Sequence, residues 1–262
     1  MKKKIVFSLI IIFLIVILLL IIKFMLLRDD NIKHIAYNVN KTNYRIYLKE
    51  NNKYVPYLVL DNNYNGTNST LIIRENILGG ESYTYDYNGS ISEENIYNKS
   101  LLMNQYFNYD ETDVDKFLVN EFVHYFDDGF INIINDTEVS VENVEMINNE
   151  NYKIKRKFFI LSIGELGLEN VANKSDNKSI KYFKVNGLEA KNDGNEKANY
   201  WTRSYSYGLG GYFAIGYSGA LISVSGSEAK YGIRPAFTIS GKTKIKKQYI
   251  SQIGKEVLVI DY

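Results

Sequence analysis

Tyr200-Trp201-Thr202-Arg203-Ser204 opens, and Tyr231-Gly232-Ile233-Arg234-Pro235-Ala236-Phe237 closes, the stretch whose reading decides the fold of this 262-residue chain. It holds the only Trp and one of the two Pro of the sequence. Between its ends lie Gly208, Gly210, Gly211, Gly216, Gly219 and Gly226, with Tyr205, Tyr207, Tyr212 and Tyr217 interleaved. That mixture predicts short strands joined by tight turns, since Gly opens positive φ and Tyr favours the pleated surface.

Outward from this stretch, composition removes several chemistries. Zero Cys excludes disulfides, thiolate metal sites and Cys nucleophiles. Two His, His34 and His124, are too few for a multi-His metal centre. No cofactor is expected. The 23 Tyr stand out, and with the many Asn, Ile and Lys they also match AT-rich codon usage. About 230 residues beyond the N-terminal segment suit a single domain.

After three Lys, an apolar run from Ile5 to Leu27 is broken only by Ser8 and Lys23. As a helix it would cover roughly 34 Å, enough to cross a bilayer. With no small-x-small cleavage site, it reads as an uncleaved signal anchor whose partner is the lipid bilayer through residues 5–27. The Lys cluster predicts a cytoplasmic N-terminus and an extracellular C-terminal part, a single-pass membrane protein. Residues 1–28 then form the cytoplasmic tip and anchor, 29–43 a polar tether, and 44–262 the extracellular domain. Beyond residue 28 the chain keeps 26 bases against 30 acids, a balance that argues against nucleic acid.

Strands are expected at Tyr44–Leu48, Tyr54–Leu60, Thr70–Arg74, Phe130–Ile134, Glu138–Met146, Lys157–Ser162, Lys242–Tyr249 and Glu256–Tyr262. Helices are expected over Ile96–Phe107 and over Thr112–Tyr125, the second with Thr112 as its cap and His124 near its apolar face. Asp61-Asn62-Asn63-Tyr64-Asn65-Gly66 matches the first half of a calcium loop, but the twelfth position is Ile72, so it reads as a turn closed by Asn65-Gly66. Residues 167–199 read as a long polar insertion.

Catalytic signatures fail on inspection. Gly216-Tyr217-Ser218-Gly219 lacks the spacing of a nucleophile elbow, and Gly208-Leu209-Gly210-Gly211 lacks the third Gly and the helix of a dinucleotide loop. A pair of carboxylates brought together in space would support glycoside hydrolysis, and an enzyme of that kind is the least favoured reading. Binding has the better physical case, because Tyr rings on Gly-rich loops stack on sugars or proteins at low entropic cost. The candidate ligand residues are Tyr205, Tyr207, Tyr212 and Tyr217. Alternate Tyr in strands equally well pack a core.

Five motifs in order carry a resemblance. They are Val59-Leu60-Asp61, Ser100-Leu101-Leu102-Met103-Asn104, Phe159-Ile160-Leu161-Ser162-Ile163-Gly164-Glu165, Trp201-Thr202-Arg203-Ser204 and Ile233-Arg234-Pro235-Ala236. Together they resemble the bacterial surface family called domain of unknown function 6273, taken as a relative of the formylglycine-generating-enzyme and C-type-lectin folds. The resemblance implies an α+β fold: after the transmembrane helix, one C-type-lectin-like domain of short antiparallel strands and two helices, its first and last strands paired. It implies fold-anchoring roles for Trp201, Arg203, Arg234 and Pro235. The wider fold's enzymes use Cys with copper or His with iron, so a scaffold without that chemistry is implied. The expected function is a membrane-anchored binding module for a cell-surface glycan or protein, with a structural or assembly protein of the envelope as the alternative.

Overall fold

In the computed structural model, the described residues are 13–18, 30–40, 43–79, 108–144, 151–168, 178–207, 210–224, 229 and 231–262. The chain divides into Met1–Asp30 and Asn31–Tyr262. In the first unit residues 13–18 are helical and exposed. No helix among the described residues is long and apolar enough to cross a membrane. The expected transmembrane signal anchor over 5–27, and the single-pass localisation with an extracellular domain drawn from it, are corrected accordingly.

The second unit is mostly β, not the α+β lectin-like domain expected. Its strands are β1 (Arg45–Glu50), β2 (Lys53–Tyr64), β3 (Ser69–Arg74), β4 (Thr137–Glu142), β5 (Asn151–Arg156), β6 (Tyr200–Ser206), β7 (Gly211–Ile215), β8 (Leu221–Val224), β9 (Ala236–Ser240), β10 (Lys244–Ile250) and β11 (Lys255–Asp261). They form four antiparallel sheets, ordered β1-β2-β3-β9, β6-β7-β8, β4-β5 and β10-β11. Helices among the described residues are short: α1 (Asp113–Asn120), α2 (Asp128–Ile133) and α3 (Lys181–Asn186). The helix expected over Ile96–Phe107 lies outside the described residues. No ladder pairs the first and last strands, since β1 pairs with β2 and β11 with β10.

Local chemistry explains most element boundaries. Thr112 caps α1, its Oγ1 accepting from the Asp115 N–H at 3.3 Å, and the helix places Val114, Phe117 and Leu118 on its buried face. The expected helix to Tyr125 ends at Asn120, and Phe122–Tyr125 continues as a 3-10 turn. Phe130–Ile134, expected as a strand, is mostly helix α2. Asp127 decides it, accepting from the Phe130 N–H at 2.9 Å as N-cap. The run Lys157–Ser162 makes a single bridge, Phe159 with Ala236, and the Arg203 N–H donates to the Leu161 carbonyl at 3.1 Å. The polar stretch 167–199 contains α3 and buries Leu188, Ala190 and Ala198.

Two large clusters fill the interior. One gathers Phe117, Phe122, Phe126, Phe130, Phe158 and Phe237 with Trp201, Tyr205 and Tyr212; the other gathers Leu58, Leu60, Tyr64, Leu71, Phe159, Phe183 and Tyr200. Gly232, in the segment that closes the stretch, lies where it crosses the segment Ile77–Gly79. A Cβ there would meet Ile77 Cγ2 at 2.2 Å and the Gly79 carbonyl at 2.5 Å. Gly66, with φ of 72° and open space around it, faces no such clash.

Gly232→Ala is therefore expected to cost at least the ~1–3 kcal/mol of core overpacking. Gly66→Ala should cost only the ~1–2 kcal/mol of a left-handed backbone. Urea unfolding of the two variants measures the difference, and equal losses would refute the crowding at Gly232.

Candidate functional site

A cleft of about 900 Å³ opens among the described residues. One wall is the β2–β3 turn, the other the start of β4 with Lys153 of β5 and Lys178 beside it. In the turn Asn65 and Gly66 both take positive φ, 50° and 72°, and the Thr67 N–H donates back to the Tyr64 carbonyl at 3.1 Å. That is the hairpin chemistry Asn-Gly favours. Asp61 Oδ1 accepts from the Asn63 N–H at 2.9 Å, and Asn63 Oδ1 from the Asn68 N–H at 3.0 Å. These bonds fix the turn's backbone.

A ladder of neutral polar groups lines the space between the walls. Asn135 Nδ2 donates to Ser69 Oγ and to Thr238 Oγ1, both at 3.1 Å, and the Thr137 and Thr238 hydroxyls lie 2.8 Å apart. Lys153 Nζ pairs with Glu138 at 2.7 Å and holds that carboxylate below its ordinary range. Asp136 is exposed, its carboxylate 3.9 Å from Lys157 Nζ. Neither His34 nor His124 lines the cleft. Among the described residues no cluster of three or more His, Cys, Asp or Glu is placed to hold a metal ion.

Beneath the cleft lies a buried ionic network. The Tyr64 hydroxyl donates to Glu165, whose Oε2 accepts from Arg203 Nη1 at 2.6 Å and from the Ser162 N–H at 2.7 Å. Arg203 also donates to the Ile160 carbonyl at 2.7 Å and the Ser140 carbonyl at 3.0 Å. Burial pushes the Glu165 carboxyl up, but Arg203, Tyr64 and the Ser162 N–H together outweigh it and hold the group below its ordinary value. Burial and the Glu165 charge push the Tyr64 hydroxyl well above its ordinary range, so it stays a donor. Tyr64 and Ser140 belong to the cleft lining, so this network fixes both of its walls.

The tyrosines expected to bind ligand do not come together on the surface. Tyr205 and Tyr212 are buried, 3% and 2% exposed, with ring centroids 5.2 Å apart. Tyr207 is half-buried and packs edge-on against Tyr205 at 5.3 Å; its hydroxyl, pushed up to about 12 chiefly by burial, donates to the Asn143 carbonyl at 2.8 Å. Tyr217 is 44% exposed. The anchoring residues are placed differently. Trp201 is buried against Tyr231, with ring centroids 4.8 Å apart. Arg234 sits over the Tyr200 ring at 5.5 Å and donates to the Arg74 carbonyl at 3.2 Å, and the Pro235 carbonyl accepts from the Arg74 N–H at 2.8 Å. The sequence offered one sign of the cleft, the Asn-rich turn Asp61–Gly66. Its other wall comes from residues 135–138, 140, 153, 178 and 238, whose separations give no periodic signal.

Breaking the ion pair from one side is expected to be costly. Glu165→Gln leaves Arg203 buried without its counter-charge, a loss of about 3–5 kcal/mol in denaturant unfolding. Because the folded-state value of Glu165 is depressed, its contribution is present above the unfolded value near ~4.3 and fades as pH falls through the lower folded value. The stability difference between wild type and Glu165→Gln should therefore narrow on acidification and stay flat through neutral pH. A difference that widened below pH ~4 would contradict the assignment.

No curated protein and no solved structure matches the chain, and the implied kinship with formylglycine-generating-enzyme and lectin-like folds is not shown. A family model described as "Domain of unknown function (DUF6273)" matches residues 67–241, about two thirds of the sequence. The match takes in Glu165, Arg203 and the cleft wall from Asn135 to Ser140. The chain belongs to the family described as domain of unknown function 6273.

Proposed function

We propose that the chain is a binding module whose polar cleft takes a hydroxyl-rich ligand, a glycan segment. The observation that carries this is the lining: amides of Asn63, Asn65 and Asn135 with hydroxyls of Thr67, Thr137 and Ser69. Such groups donate and accept at once, as sugar hydroxyls do. A volume of about 900 Å³ is at the upper end of small-molecule sites, roughly 300–1,000 Å³. It suits a short oligosaccharide better than one ring.

Binding is favoured over hydrolysis by the state of the carboxylates. A glycosidase acid needs an environment that raises its pKa. Here Glu138 is held low by Lys153, Asp61 is engaged by the turn, and Asp136 is open to solvent. Lys153 thus holds Glu138 in the direction opposite to the one a glycosidase acid needs.

A glycan array probed with the full chain should return oligosaccharide ligands. The double variant Asp136→Ala, Lys178→Ala should weaken them about tenfold, the loss of one or two charge-assisted hydrogen bonds. Tyr217→Ala should leave them unchanged. Absence of any glycan ligand, or ligands indifferent to the cleft variant and lost with Tyr217, would overturn the reading.

A further inference from the structure

A second site presents itself where β1 and β2 meet the β10–β11 hairpin. Tyr47, Tyr54 and Tyr262 line, with Phe126, Phe130 and Gln248, a pocket of about 190 Å³ that shares no residue with the cleft. Its rings are held in place. The Tyr262 hydroxyl donates to Asp127 Oδ2 at 2.6 Å, and its ring packs on Phe130 with centroids 5.6 Å apart. Tyr54 is fixed at both ends: its N–H donates to Gln252 Oε1 at 3.0 Å, and its hydroxyl accepts from Gln248 Nε2 at 3.4 Å. Tyr47 packs with Tyr54 against Ile250, Val257 and Val259 of the hairpin. Yet Tyr262 remains 55% exposed, so ring surface stays open to a ligand.

Charge and size narrow the ligand. Two lysines reach the pocket, and each has an acid at hand. Lys246 Nζ donates to Asp261 Oδ1 at 2.7 Å, and Lys49 acts on the Asp127 carboxylate. The site is thus close to neutral, with nothing to repay desolvation of a charged ligand. A pocket of about 190 Å³ holds roughly six waters at ~30 Å³ each. That is room for one six-membered ring and not for a chain. Fixed aromatic faces with amide and hydroxyl groups at the rim suit a sugar, which has an apolar face and a polar edge.

We propose that this pocket binds a single neutral sugar ring stacked against Tyr47 and Tyr262. The site shares no residue with the cleft.

Saturation-transfer NMR of the full chain with methyl glucoside, N-acetylglucosamine and glucuronate provides the test. The neutral sugars should bind and glucuronate should not. Tyr47→Ala and Tyr262→Ala should each weaken binding about five- to tenfold, the loss of one stacking face. Tyr262→Phe, which keeps the ring and drops only the bond to Asp127, should bind within about threefold of wild type and separates stacking from folding. The cleft variant Asp136→Ala, Lys178→Ala should leave these monosaccharide signals intact. Transfer to none of the sugars, a preference for glucuronate, or ring truncations without effect would sink the proposal. Monosaccharide binding lost with the cleft variant alone would also sink it, while leaving the cleft reading standing.

Discussion

An arginine and a glutamate, both inaccessible to solvent, stand 38 residues apart in sequence and 2.6 Å apart in space. Burying two charges is expensive, and in a low-dielectric interior the expense is met only when the partners and their remaining hydrogen-bonding groups are all satisfied. The surroundings of Arg203 and Glu165 come near to that. Tyr64 from β2, Ser162 from the irregular run after β5, and carbonyls of Ser140 and Ile160 all converge on them. Four separate stretches of chain must therefore arrive together for the pair to form. This couples the β1-β2-β3-β9 sheet, the β4-β5 ladder and the β6-β7-β8 sheet at one point.

A second buried arginine does the same at the other side of β2. Arg74, at the end of β3, donates to Glu50 at 3.0 Å and to Asp193 at 2.8 Å, and Tyr57 donates to the same Glu50. The Asn76 carbonyl takes a further bond at 2.9 Å. Strand β2 thus carries a tyrosine into each network, Tyr57 and Tyr64, and both hydroxyls are pushed well above their ordinary range, chiefly by burial. Cores built this way lose more from removal of one partner than an apolar core would, because the orphaned charge stays behind. With no disulfide available, these polar clamps and the aromatic clusters are what fix the relative order of the sheets.

How far the fold was legible follows from the kind of signal each element left. β2, β3, β10 and β11 announce themselves through β-branched and aromatic runs bounded by turn residues, and the observed strands overlap those runs. Phe130–Ile134 carries the same apolar run but folds as a helix. Periodicity cannot separate the two states over five residues, and the cap at Asp127 decides. The pairing of Glu165 with Arg203 left no local trace, since a long-range ion pair has no spacing rule. Gly232 is similar. Its need for a missing Cβ arises from Ile77 and Gly79, more than 150 residues earlier. The polar cleft was legible only in the Asn65-Gly66 turn, because its opposite wall is assembled by topology.

The tyrosines show most clearly why composition misleads about function in this chain. The Gly-rich segment suggested exposed rings, but every residue of β6 and β7 is buried, which leaves no solvated face for alternation to reveal. Tyr205 and Tyr212 are core residues, the Tyr212 hydroxyl pushed well above its ordinary range chiefly by burial, and Gly210 takes the positive φ of the turn between them. The β10–β11 hairpin differs in kind. It is two-stranded and only partly covered, and Tyr249 there is 64% exposed and Tyr262 beyond it 55%. The most open rings, Tyr249 and Tyr262, thus belong to the last hairpin and its end, while Tyr205 and Tyr212 of the Tyr-rich stretch belong to the core and only Tyr217 of that stretch is exposed.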